Sequence, residues 1–161
     1  MPDSDQMLEF ARSRAKELAT PDLDARPRRR VAVLTCMDAR IDIAQLLGIS
    51  QGDAHVIRNA GGLATDDAIR SLSISQQMLG TKEIIVVMHE DCGLQGTTEE
   101  ELAAILAADE PSPPWRTGAF EDLEKTLQAS LAHLRNSAYL PARHSIRGFI
   151  FDPRDGSLRE V

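Results

Sequence analysis

Two short stretches of the chain carry side chains suited to chemistry. Val31 to Arg40, VAVLTCMDAR, is an apolar run ending in Cys36, Asp38 and Arg40, so a soft metal ligand, a carboxylate and a guanidinium leave one strand end together. Val86 to Gly93 repeats the layout, with an apolar strand ending in His89, Glu90, Asp91 and Cys92. Cys36, His89 and Cys92 make a soft three-ligand set suited to zinc, one ion per chain, with a fourth position left for water or a nearby carboxylate. Two thiolates cancel the formal charge of the ion. A bound water is then acidified less than the pKa of about 7 reached at a three-histidine site, and hydroxide forms more readily toward alkaline pH. Asp38 can accept a hydrogen bond from that hydroxide or bind the metal itself as a fourth ligand. Arg40 arbitrates: a guanidinium that grips Asp38 bidentately keeps it ionised and off the metal, and without that grip Asp38 can close the site. Glu90 and Asp91 lie between two ligands, shape the loop, and are not assigned to the metal.

Positioning these groups requires a sheet that brings the two strand ends side by side. Hydrophobic patterning predicts strands at Val31 to Thr35, Ala54 to Arg58, Glu83 to Met88 and Ile146 to Phe151, and a short closing strand at Leu158 to Val161. Between them, helices are expected at Ile41 to Leu47, after a Thr65 cap, after a Thr98–Glu101 capping box, and over Ala119 to Asn136 with its leucine stripe. A proline-rich connection, Glu110 to Trp115, separates the last two helices. Strands alternating with helices imply a single α/β domain with a mainly parallel sheet of about four strands plus a C-terminal antiparallel strand. If the second strand lies on one side of the first and the third on the other, the carboxyl ends of strands one and three flank the switch point where such sheets hold ligands. Residues 31–161 are assigned to this zinc-binding domain. Residues 1–30 form an N-terminal helix, Ser4 to Ala19, and a linker, expected to pack on a partner subunit.

The chain has 161 residues and a formal charge of −7, with 42% hydrophobic and 27% charged residues. One core is expected. The acidic balance argues against nucleic acid or an anionic membrane as partner, since both need a cationic face. The basic run Arg26 to Arg30 is interrupted by Pro27 and reads as a solvated linker or a local ion-pair donor. No export signal is visible in MPDSDQMLEF, and no apolar stretch approaches the length of a membrane span, so a cytoplasmic protein is expected. In a reducing compartment Cys36 and Cys92 are thiolates doing chemistry before they are a disulfide. His55, His133 and His144 have no partner pattern and read as surface or structural residues.

Cys36-Met37-Asp38-Ala39-Arg40 with His89-Glu90-Asp91-Cys92-Gly93 resembles the C-x-D-x-R and H-x-x-C pair of the β-class carbonic anhydrases. Arg58-Asn59-Ala60-Gly61-Gly62 is similar to their R-N-A-G loop. The likeness runs from about Val31 to Val161 and is strongest to the small bacterial and actinobacterial branch. It implies reversible hydration of carbon dioxide to bicarbonate and a proton, through attack by a zinc-bound hydroxide that Asp38 orients and Arg40 supports. It also implies that the Gly93 amide, with Ala60 and Gly61, places the substrate, and that the chain works as a homodimer or larger assembly. Two features differ from the common pattern: alanine at Ala39 in place of serine, and no glutamine between Pro27 and Thr35. Two other functions share the named residues. One is hydrolysis of carbon disulfide or carbonyl sulfide, and the other is a non-catalytic zinc-binding regulatory module.

Overall fold

The computed structural model describes residues 2–108 and 111–161. Its elements in chain order are α1 (Asp3–Ser13), α2 (Ala15–Leu18), β1 (Val31–Cys36), α3 (Ile43–Leu47), β2 (Ala54–Asn59), a 3-10 turn (Ala60–Gly62) and α4 (Asp66–Gln77). There follow β3 (Glu83–His89), α5 (Glu99–Ala107), α6 (Leu123–Asn136), β4 (Ile146–Phe151) and β5 (Leu158–Glu160). Of the proline-rich connection, Glu110 lies outside the described residues.

The strand order is β2-β1-β3-β4-β5. All pairs are parallel except β4 with β5. β1 and β3 occupy the middle of the sheet, which is why their sequences read as continuous apolar runs: Ala32, Val33, Leu34, Ile84, Val86, Val87 and Met88 are fully buried. Covering each such side chain contributes about 1.5–3 kcal/mol for the larger residues. α6 closes one face through Leu123, Leu127, Leu131 and Leu134.

Helix ends follow the capping signals. Asp42 accepts hydrogen bonds from the Ala44 and Gln45 amides, Thr65 from Ala68, and Asp122 from Lys125. Thr98 and Glu101 form the reciprocal capping box. α6 starts at Leu123, later than the predicted Ala119, because Phe120 is drawn into a bridge with Gln95 beside the β3 loop. The single predicted N-terminal helix is instead two, α1 and α2, separated at Arg14, and neither buries a residue. Met7, Leu8, Phe10 and Leu18 stay exposed.

Candidate metal centre

The switch-point geometry places the two chemical stretches together. β1 and β3 run parallel in a register that sets Thr35 opposite Val87, so Cys36 and His89 emerge at the same carboxyl edge. Thr35 Oγ1 donates to the Val87 carbonyl at 2.9 Å, a buried bond that ties the two strand ends. The chain then folds the 3-10 turn against this junction. At Gly62, which has φ +67, an added Cβ would lie 2.9 Å from the Cys36 nitrogen and 3.2 Å from the Val87 carbonyl oxygen, so only glycine lets the turn approach.

Cys36, His89 and Cys92 are all buried, and their ligand atoms lie within 4.8 Å of one another. The His89 ring is oriented by its own loop, with Nδ1 2.9 Å from the Glu90 carbonyl oxygen. That leaves Nε2 toward the cluster, buried and, among the described residues, without a hydrogen-bond partner. A buried nitrogen with no partner is costly in a folded protein. Two thiols and an imidazole nitrogen converging in this way are the donor set zinc takes, and a bound ion would satisfy Nε2. Both cysteines are free thiols.

Electrostatics favours one thiolate even without metal. The hydrogen bond from Cys92 is the main force lowering the Cys36 pKa, against burial, with help from His89 and from the Asp38 and Gly61 amides. The same shared proton, together with burial, pushes Cys92 up. Burial pulls His89 down, but the Cys36 thiolate beside it more than compensates and the net shift is upward.

Asp38 faces this cluster from the turn after β1. Its Oδ2 is 3.8 Å from His89 Nε2, and both its oxygens are engaged by Arg40. Nε donates to Oδ1 at 3.0 Å and Nη2 to Oδ2 at 2.8 Å, while the Arg40 amide donates to Oδ1 at 2.9 Å. These hydrogen bonds hold the Asp38 carboxyl well below the usual carboxylate range. The side chain of Asp38 is 18% exposed and that of Arg40 45%, so the pair sits at the rim of the buried cluster.

The loop residues divide. Gly61 is buried at φ +79, and its amide helps hold the Cys36 thiol pKa down. Ala60 lines a cavity of about 570 Å³ with Leu63, Thr65, Trp115 and Ser130. Gly93 is exposed, and its N–H makes no backbone hydrogen bond among the described residues. A cavity of about 580 Å³ lined by Ile69, Ile74 and Tyr139 holds none of the candidate residues.

Two residues have parts in this site that the sequence pattern did not assign. Arg58 donates from Nε to the Cys36 carbonyl at 3.0 Å and from Nη2 to the Asp38 carbonyl at 2.8 Å, bracing the turn between them. Asp91, read from sequence only as a loop-former, pairs with Arg40 at 2.8 Å. The available signal was donor arithmetic: a guanidinium has five N–H groups, and gripping Asp38 through its side chain uses only two. His55 is structural, with Nδ1 2.7 Å from Ser75 Oγ and Nε2 2.9 Å from the Ala25 carbonyl.

Comparison with known proteins places this geometry in context. A family model described as carbonic anhydrase matches residues 31–111. Over 137 residues the chain is 42% identical to beta-carbonic anhydrase 1 of Mycobacterium tuberculosis, an alignment covering 84% of this chain and 83% of that protein. It is 38% identical over 157 residues to a carbon disulfide hydrolase of Acidianus sp., covering 82% and 77% respectively. Among solved structures, carbonic anhydrase from Streptococcus mutans superposes with a TM-score of 0.91 at 40% identity, covering 100% of this chain and 98% of that one.

Proposed function

Because the chain belongs to the β-carbonic anhydrase family, we propose that it catalyses the reversible hydration of carbon dioxide, using a zinc ion held by Cys36, His89 and Cys92. The observation that carries this reading is the buried Cys-His-Cys cluster with an orphan His89 Nε2, flanked by an Asp38 whose two oxygens are both held by Arg40. Zinc at this position supplies the Lewis acidity that makes water a competent nucleophile, increasingly so toward alkaline pH.

The chain's own groups do the rest. Asp38, kept ionised by Arg40, is an acceptor only; it takes the hydrogen bond of the attacking O–H and turns the oxygen lone pair toward the carbon of the substrate. The Arg40 grip would hold the Asp38 carboxylate in this orientation and off the metal, while a remaining lone pair stays free to accept that hydrogen bond. The Gly93 N–H is available to a substrate oxygen, and the Ala60–Gly61 turn forms the adjoining wall while its Gly61 amide stabilises the Cys36 thiolate. The bicarbonate formed and the surplus proton would pass to solvent.

The assembly we propose is a homodimer or larger oligomer, with residues 1–30 packed on the partner. The exposed Met7, Leu8, Phe10 and Leu18 of α1 and α2 support it. The free cysteines support a cytoplasmic setting, and no helix among the described residues is long and apolar enough to cross a membrane.

A second reading, hydrolysis of carbon disulfide, is favoured by the Acidianus relative. Stopped-flow assays of the zinc-loaded protein with carbon dioxide and with carbon disulfide separate the readings. Carbon dioxide hydration that rises at alkaline pH, with slower or no carbon disulfide turnover, is the expected result. Preferential release of hydrogen sulfide would favour the second reading, and zinc without turnover of either substrate would make the metal structural.

A further inference from the structure

Arg40 has a second acidic partner, and we infer that Asp91 is a positioning residue that holds the Arg40 guanidinium in place for Asp38. The inference rests on the reading of Asp38 and Arg40 as the gate of the metal site and names what holds that gate. Arg40 Nη1 donates to Asp91 Oδ2 at 2.8 Å, and Nη2 donates to the Asp91 main-chain carbonyl at 2.8 Å. On its other side the same guanidinium grips Asp38 through Nε and Nη2. The two carboxylates take different N–H groups, and Nη2 carries two hydrogens, one for each side, so the contacts reinforce and do not compete.

One guanidinium therefore cross-links the turn after Cys36 to the loop between His89 and Cys92. Asp91 has φ +55, in the left-handed region that aspartate enters more readily than most residues. There both its carbonyl and its carboxylate bond to Arg40. Forming the loop explains the backbone conformation, which glycine or asparagine would serve equally; it does not explain a carboxylate aimed at Arg40. Without the Asp91 carboxylate, Arg40 would keep only Asp38 and one main-chain carbonyl as partners on a side chain 45% exposed, and would sample solvent-facing rotamers more often. Each departure frees Asp38, 3.8 Å from His89 Nε2, to turn toward the metal position. Asp91 thereby sets how much of the time the gate stands open.

Two variants separate the side chain from the backbone. Asp91→Gly keeps the left-handed backbone and the main-chain carbonyl but deletes the carboxylate, whereas Asp91→Asn keeps an acceptor oxygen and removes the charge. The readouts are zinc content, the ¹⁵N NMR signal of the Arg40 Nε–H, and hydration kinetics. The parent should give a sharp, slowly exchanging Arg40 signal. Asp91→Gly should retain its zinc, broaden or lose that signal, and lower kcat/KM about two- to fivefold, the scale of one solvent-screened ion pair whose carboxylate is 74% exposed; Asp91→Asn should recover part of both. An unchanged Arg40 signal with unchanged kinetics in Asp91→Gly overturns the inference, and so does loss of zinc in Asp91→Gly with no recovery in Asp91→Asn. Arg40→Ala measured alongside tells the two failures apart. Parental hydration in Arg40→Ala defeats the gate itself, while slow Arg40→Ala beside unaffected Asp91→Gly defeats only the part given to Asp91.

Discussion

Gly62→Ala perturbs the junction that brings the two ligand-bearing strands together, and its effect follows from three distances. An added Cβ would sit 2.9 Å from the Cys36 nitrogen, 3.0 Å from the Thr35 carbonyl carbon and 3.2 Å from the Val87 oxygen. All three are main-chain atoms of strands buried in the centre of the sheet, so none can rotate aside. Placing alanine at φ +67 costs about 1–2 kcal/mol in the left-handed region, and overpacking a closed core costs roughly 1–3 more. The sum is a loss of about 2–5 kcal/mol of stability. Relief requires the turn to back away from β1 and β3, which shifts Cys36 against His89, so zinc affinity should fall about tenfold or more, the scale of a disturbed ligand support. Urea unfolding of the zinc-free protein and zinc competition against a chromophoric chelator, both at matched protein concentration, measure the two effects. A variant within about 0.5 kcal/mol of the parent that binds zinc equally well would refute the argument that glycine is required for close approach.

Four further outcomes are expected. Arg40→Ala should hydrate carbon dioxide at least about tenfold more slowly, with X-ray absorption showing an added carboxylate oxygen on zinc; an unchanged rate and an unaltered metal environment would contradict the gate. Cys92→Ala should lose its zinc during purification, and full retention by metal analysis would remove Cys92 from the ligand set. Because the shared proton raises Cys92 while Cys36 is lowered, Cys92 keeps its proton at neutral pH in the metal-free protein and must release it on loading. Zinc affinity should therefore rise about tenfold per pH unit between about pH 7 and 9, and a flat chelator-competition profile would contradict this. Thr98→Ala deletes the capping box of α5 and should cost about 1 kcal/mol in local stability, read as faster amide exchange in α5 with hydration unaffected.

Much of this architecture was readable in the sequence because it rests on short-range patterns. The runs VAVLTC and IIVVMH have no polar face, which marks strands covered on both sides, and the alternation of strands with helices then limits where β2 and β3 can lie. The β2-β1-β3 order follows that reasoning and brings Cys36 beside His89. What the pattern missed depends on contacts between side chains and distant loops. Asp91 meets Arg40 across 51 positions of sequence, and Arg58 meets the Cys36 and Asp38 carbonyls across 22 and 20. No periodicity encodes such pairs. The N-terminal segment shows the converse: its Leu8, Ala11, Ala15 and Leu18 spacing is helical, yet periodicity does not say what a stripe will cover, and among the described residues neither helix buries a side chain. The spacing of Phe120 to Leu123 and Leu127 fits the α6 stripe. Phe120 sits instead in the loop, where its amide donates to the Leu94 carbonyl at 3.0 Å and its carbonyl accepts from Gly96 at 2.9 Å.

The most direct test of the central claim is the initial rate of carbon dioxide hydration, followed by stopped-flow as zinc is titrated into the metal-free protein. A buried three-ligand site of this kind predicts activity that rises linearly with added zinc and levels off at one equivalent per chain. Protein carrying one zinc per chain that leaves hydration at the uncatalysed rate would contradict it.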